Sequence, residues 1–101
     1  MNITNQLHRE TGIAENAIRK VLSLLAEGAT IPFMARYRKE VTGGLDEVEL
    51  LTIKDRHHFL MEFEKRKTSI LNAIEEQGKL TDHLRGLIAQ STTLAQLEDL
   101  Y

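Results

Sequence analysis

Between Asp46 and Gly78 the chain contains no proline and no glycine. A stretch of that length without a breaker, with apolar residues recurring every three or four positions, folds as one helix and nothing else. The reading is a helix over about residues 47–77, about 45 Å long at about 1.5 Å per residue. Leu51, Phe59, Phe63, Ile70 and Ile74 read as its main apolar line, with Leu50, Leu60 and Leu71 beside it. Such a helix is longer than a small bundle needs. It is expected either to kink near the polar Thr52–His58 region or to pack against something outside the chain.

The rest of the sequence is punctuated for shorter helices. Ile3 to about Glu10 reads as the first, closed by Gly12. A second runs from about Ala14 to Glu27, burying Ala17, Ile18, Val21, Leu22 and Leu25, with Gly28 at its end. Thr30 suits an N-cap and Pro32 a first turn, where a missing N–H costs nothing. Phe33, Tyr37 and Val41 then fall at fourth positions and read as a buried stripe, so that Phe33→Ala should cost roughly 3–5 kcal/mol. Gly43-Gly44 end that helix. Asp46 with Glu49 suits a reciprocal cap on the long helix. Thr81 caps a helix carrying Leu84, Leu87 and Ile88, and Thr93 with Gln96 opens a last one carrying Leu94, Leu97 and Leu100. The fold class is therefore all-α, five or six helices in a single domain over residues 1–101. The last helix has barely begun at Tyr101, which reads as a cut inside a longer chain.

Composition narrows function more than it defines it. Formal net charge is −2, with 13 Lys+Arg against 15 Asp+Glu, so the chain lacks the basic excess of a freestanding nucleic-acid binder. With no cysteine there is no disulfide and no thiolate metal site, which fits a reducing cytoplasm. No apolar run approaches the roughly 18 residues of a membrane span, and no secretory signal opens the chain.

Chemistry-bearing residues are sparse. Arg36-Tyr37-Arg38-Lys39 is the densest basic run. On a helix Arg36 and Lys39 share a face, Arg38 points elsewhere and Tyr37 lies in the apolar stripe. Arg36, Arg38 and Lys39 are the candidate phosphate contacts. Charge runs are commonly solvated faces, and the simpler expectation is that these cations are solvated or paired locally, for example Arg36 with Glu40. Gly43-Gly44 precedes a helix whose start carries Asp46 and Glu47, which repel anions. His57 and His58 point about 100° apart on a helix and do not share an ion. His58 with Glu62 is spaced for a ligand pair but lacks a third member. Glu62 and Arg66 read as an intrahelical pair. No nucleophile elbow or phosphate loop is present. The reading assigns no catalytic residue, no metal, no cofactor and no small-molecule substrate.

The block Thr30-Ile31-Pro32-Phe33-Met34-Ala35-Arg36-Tyr37-Arg38-Lys39-Glu40, followed by Thr42-Gly43-Gly44-Leu45-Asp46-Glu47, resembles the N-terminal region of the Tex family of bacterial transcription accessory proteins. Gln77-Gly78-Lys79-Leu80-Thr81 and Leu97-Glu98-Asp99-Leu100-Tyr101 also look like that family, so the similarity spans the chain. Met34 departs mildly from the branched aliphatic more usual there. The resemblance implies a much longer cytoplasmic protein that binds RNA or DNA and works with the transcription machinery. It implies an RNase H-like domain, helix-hairpin-helix elements and a C-terminal OB-fold domain to which nucleic-acid contact is chiefly ascribed. The architecture is similar to a eukaryotic elongation factor. Residues 1–101 would be a helical scaffold module whose neighbours are the remaining domains of the same chain. The alternative is a protein–protein interaction module with no nucleic-acid contact of its own.

Overall fold

Helix starts are written in single side chains. Thr30, Thr81 and Thr93 each turn an Oγ1 back to accept the N–H three residues on, from Phe33, Leu84 and Gln96. Asp46 and Glu49 form the reciprocal cap: Glu49 N–H donates to Asp46 Oδ1 at 2.8 Å and Asp46 N–H to Glu49 Oε1 at 3.2 Å. At Thr93 reciprocity is displaced by one residue, because Gln96 Oε1 accepts from the N–H of Thr92. Gly43 and Gly44 take φ of 78° and 84°, a left-handed pair that any β-carbon would strain.

The computed structural model describes residues 2–101. Among them the order is α1 Ile3–Thr11, α2 Glu15–Ala26, α3 Ile31–Tyr37, α4 Lys39–Thr42, α5 Glu47–Glu76, α6 Asp82–Gln90 and α7 Leu94–Leu100, with no strand. The fold is all-α, as the spacing predicts, and α5 is the long unbroken helix. The extra helix arises at Arg38, whose φ of −127° and ψ of 28° interrupt what reads as one helix from Thr30 to Val41.

The chain packs as two units that meet inside α5, one up to Leu60 and the other from Met61. In the first, Leu7 of α1, Ile18 and Val21 of α2, Met34 of α3, Leu45 and the α5 residues Leu50, Ile53 and Leu60 form one core. Each large aliphatic there contributes about 1.5–3 kcal/mol by leaving water. In the second, Phe63, Ile70 and Ile74 of α5, Ile88 of α6 and Leu97 of α7 are buried. Lys67 is buried among the same α5 positions at 6% exposure. Its Nζ donates to the Ala89 carbonyl at 3.1 Å, lies 3.7 Å from Glu64 and sits 4.9 Å over the Phe63 ring.

The buried line of α5 differs from the expected one. It runs Leu50, Ile53, Leu60, Phe63, Lys67, Ile70, Ile74, in steps of three or four except for one of seven, two turns, between Ile53 and Leu60. Leu51 lies about 100° away and is 48% exposed. Ile53 takes the core place assigned to it.

Candidate functional site

The sequence of α3 carries apolar residues on two faces, and only one reaches the core. Met34 is fully buried, with Ile31 and Ala35 partly buried beside it. Those three stand at i, i+3 and i+4 and define the inward stripe. Phe33 and Tyr37 occupy the other side, at 41% and 57% exposure. The expectation that they form a buried stripe with Val41 is therefore corrected. Met34 takes the anchoring role, and the break at Arg38 puts Val41 on a different helix.

Phe33 and Tyr37 are one turn apart and face each other at a centroid distance of 5.4 Å with planes tilted by 48°. That is a favoured aromatic arrangement. Two guanidinium groups join them: Arg36 lies 6.0 Å from the Tyr37 ring centroid and Arg38 lies 5.4 Å from that of Phe33. Thr30 sets the start of the helix and Met34 its rotation, so both local capping and core packing aim the rings outward.

Two open depressions share Phe33 in their lining. One is lined also by Pro32, Tyr37, Arg36 and Lys39, with Glu47. The other is lined by Leu24, Gly28, Thr30 and Arg38, with Glu27. Arg36 and Lys39 thus share one hollow and Arg38 the other. All three cations are exposed.

None of the three pairs with a carboxylate among the described residues, so the local pair of Arg36 with Glu40 does not form. Four cations of α5 are engaged. Arg56 holds Glu10, Arg66 holds Glu98, Lys65 lies 3.3 Å from Glu62 and Lys67 reaches Glu64. Arg66 bridges 32 residues to Glu98 in place of the expected intrahelical partner Glu62. Its guanidinium also lies over the Tyr101 ring at 5.6 Å.

The other candidates do not converge. Gly43-Gly44 leads into a helix start already satisfied by Asp46 and Glu49. His8 Nδ1 donates to the Ile13 carbonyl at 2.7 Å, a local clasp around Gly12. His57 is half-buried, and burial holds its pKa below the ordinary value, with the charge of His58 adding to the effect. Among the described residues no group of three or more His, Asp or Glu side chains is arranged to hold a metal ion. No described helix is long and apolar enough to cross a membrane.

Sequence reasoning singled out the three cations but missed that two aromatic rings stand beside them in the open. The available signal was the second apolar stripe, Ile31, Met34 and Ala35, which competes with Phe33 and Tyr37 for the core.

The Tex-like protein N-terminal domain family matches residues 1–75, from the start of the chain to the last turn of α5. The chain is 48% identical over 101 residues to the transcriptional accessory protein Tex of Neisseria gonorrhoeae, covering all of this chain and 13% of that protein. It is 48% identical over 99 residues to protein tex of Bordetella pertussis, covering 98% of this chain and 12% of that one. A human S1 RNA-binding domain-containing protein 1 is 28% identical over 92 residues, covering 91% of this chain and 9% of its own length. The chain thus spans only a small part of the relatives it matches. With the family matched over three-quarters of its residues, this chain belongs to the Tex-like N-terminal domain family.

Proposed function

We propose that this chain is the helical scaffold module of a Tex-like transcription accessory protein in which RNA or DNA is held mainly by domains outside these 101 residues. The observation that carries the reading is the match, over the whole of this chain, to 13% of a transcriptional accessory protein. A net charge of −2 supports it, because counterion release from many phosphate contacts needs a cationic surface that this chain largely lacks. The human relative is named for an S1 RNA-binding domain, yet this chain covers only 9% of it. On this reading the module is cytoplasmic and non-catalytic, takes no cofactor, and its neighbours are other domains and the transcription machinery. The exposed Val48 and Leu51 on the first turns of α5 favour a second role, docking another protein surface.

The test compares this chain with the full-length Neisseria gonorrhoeae relative. Binding of labelled single- and double-stranded RNA and DNA is measured at low and moderate salt. The relative should bind at least about 100-fold more tightly, the margin expected when most phosphate contacts lie elsewhere. Equal affinity of the two, or no binding by the relative, overturns the proposal.

A further inference from the structure

We infer that Phe33 and Tyr37 form a seat for unpaired bases, with Arg36, Arg38 and Lys39 placed to meet the flanking phosphates, so that this module makes its own weak contact with single-stranded nucleic acid. The inference rests on the reading that the module serves a nucleic-acid-binding protein, and deepens it by naming the contact.

Three observations converge on this surface. First, Phe33 and Tyr37 are open to solvent and one helical turn apart, although each carries a large apolar face. Second, the three exposed cations around them have no carboxylate partner among the described residues, and two of them lie over the rings themselves. Third, the cations divide between two hollows that share Phe33 in their lining, Arg36 and Lys39 in one and Arg38 in the other. A strand lying across Phe33 would meet positive charge in both hollows. Arg38 lies over the Phe33 ring and Arg36 over the Tyr37 ring, and a base can stack on a guanidinium plane as on an aromatic face while the cation meets its phosphate.

The geometry selects an unpaired strand over a duplex. A duplex hides its base faces within the stack and offers an exposed ring nothing to lie against. Each hollow also carries one carboxylate in its lining, Glu47 or Glu27, which limits favourable charge to a few phosphates and suits a short segment. An acidic protein segment would satisfy the cations but leave the two rings without a planar partner.

The chain has no tryptophan, so Tyr37→Trp introduces a single emission reporter at the seat. Titration with oligo-U and oligo-dT should quench that emission, while a duplex of equal length should not. Anisotropy with labelled strands on the unsubstituted chain should show an affinity in about the 10–100 µM range at low salt, with a log–log salt slope near −2 for about three phosphates. Phe33→Ala/Tyr37→Ala should weaken binding by about 5- to 100-fold, the range for losing stacking on one base or more. Arg36→Gln/Arg38→Gln should lower the slope by about 1.4. Circular dichroism should show both variants folded, as expected of exposed positions.

No quenching and no anisotropy change up to about 1 mM strand overturns the inference, since even nonspecific contact is tighter than that. Duplex or polyglutamate binding as tight as the single strand also overturns it, because charge alone would then explain the contact. The two proposals fail separately. A silent chain beside a binding relative removes the seat and leaves the scaffold reading standing. A chain that binds as tightly as its relative removes the scaffold reading and leaves the seat.

Discussion

The guanidinium of Arg56 grips the carboxylate of Glu10 with two hydrogen bonds, Nε to Oε1 at 2.6 Å and Nη2 to Oε2 at 3.1 Å. The same guanidinium lies 4.7 Å over the Phe59 ring. One planar group thereby fastens the end of α1 to α5. Both side chains remain partly exposed, which limits the contribution of the pair. Glu10→Gln is expected to cost about 0.5–1 kcal/mol in urea unfolding. Arg56→Lys should cost at least as much, because an ammonium group replaces neither the fork nor the stacked plane. A neutral Arg56→Lys would show that the ion pair is incidental.

Phe33 and Met34 are neighbours in sequence with opposite fates, and their variants should separate accordingly. Met34→Ala removes a fully buried side chain and should cost about 2–5 kcal/mol. Phe33→Ala and Tyr37→Ala should each cost less than about 1 kcal/mol, as surface substitutions do. A loss above about 2 kcal/mol at Phe33 would mean that the ring is covered in the folded chain.

Thr42 is fully buried and its Oγ1 has no hydrogen-bond partner. An unpaired hydroxyl in a core costs free energy that an isosteric methyl group does not. Thr42→Val should therefore stabilise by up to about 1 kcal/mol, read as a rise in the urea midpoint at constant slope. Destabilisation by a similar amount would reveal a partner for the hydroxyl.

Lys67 illustrates the opposite case, a buried charge that is well occupied. Lys67→Met keeps most of the volume but leaves the Ala89 carbonyl without its donor and Glu64 without its cation. A loss of about 1–3 kcal/mol is expected, with faster amide exchange in α6. Unchanged stability and exchange would show that packing of the stem alone suffices.

Acid should weaken the fold in two stages. Burial, aided by the charge of His58, keeps the His57 pKa below its ordinary 6.5, so the unfolded chain takes up that proton first. Its contribution is intact above 6.5 and is lost as pH falls from there through the lower folded value. Hydrogen bonds from Arg56 and Arg66 hold Glu10 and Glu98 below their ordinary 4.5, so stability present above 4.5 is lost as those folded values are crossed. Urea midpoints should begin to drop as pH falls through 6.5, and His57→Gln should flatten that first step only. An unaltered slope in this variant would assign the step to another group.

What could be read from sequence is mostly what short-range chemistry decides. Caps at Thr30, Asp46, Thr81 and Thr93 were legible because each needs only the next three residues. The uninterrupted α5 was legible for a similar reason, since nothing in residues 47–77 can break it. The facing of each helix was less so. Leu51 and Ile53 are equally apolar, and only packing on α1, α2 and α3 decides which is covered. The partners of Arg56 and Arg66 lie 46 and 32 residues away, beyond any local pairing rule. At the candidate site the charges were visible and the exposed rings were not. α3 offered two apolar stripes, and the core accepted the one with Met34.

The seam between the two units falls within α5, and this has a practical bearing on dissecting the protein. Severing the chain between Leu60 and Met61 would strip the first fragment of partners for its last four carbonyls and the second of partners for its first four amides. Neither half would have a natural cap at the cut, and each would begin or end on a frayed turn beside a buried residue, Leu60 or Phe63. Truncations aimed at separating their roles should instead carry the whole of residues 47–76 and trim from the outer loops.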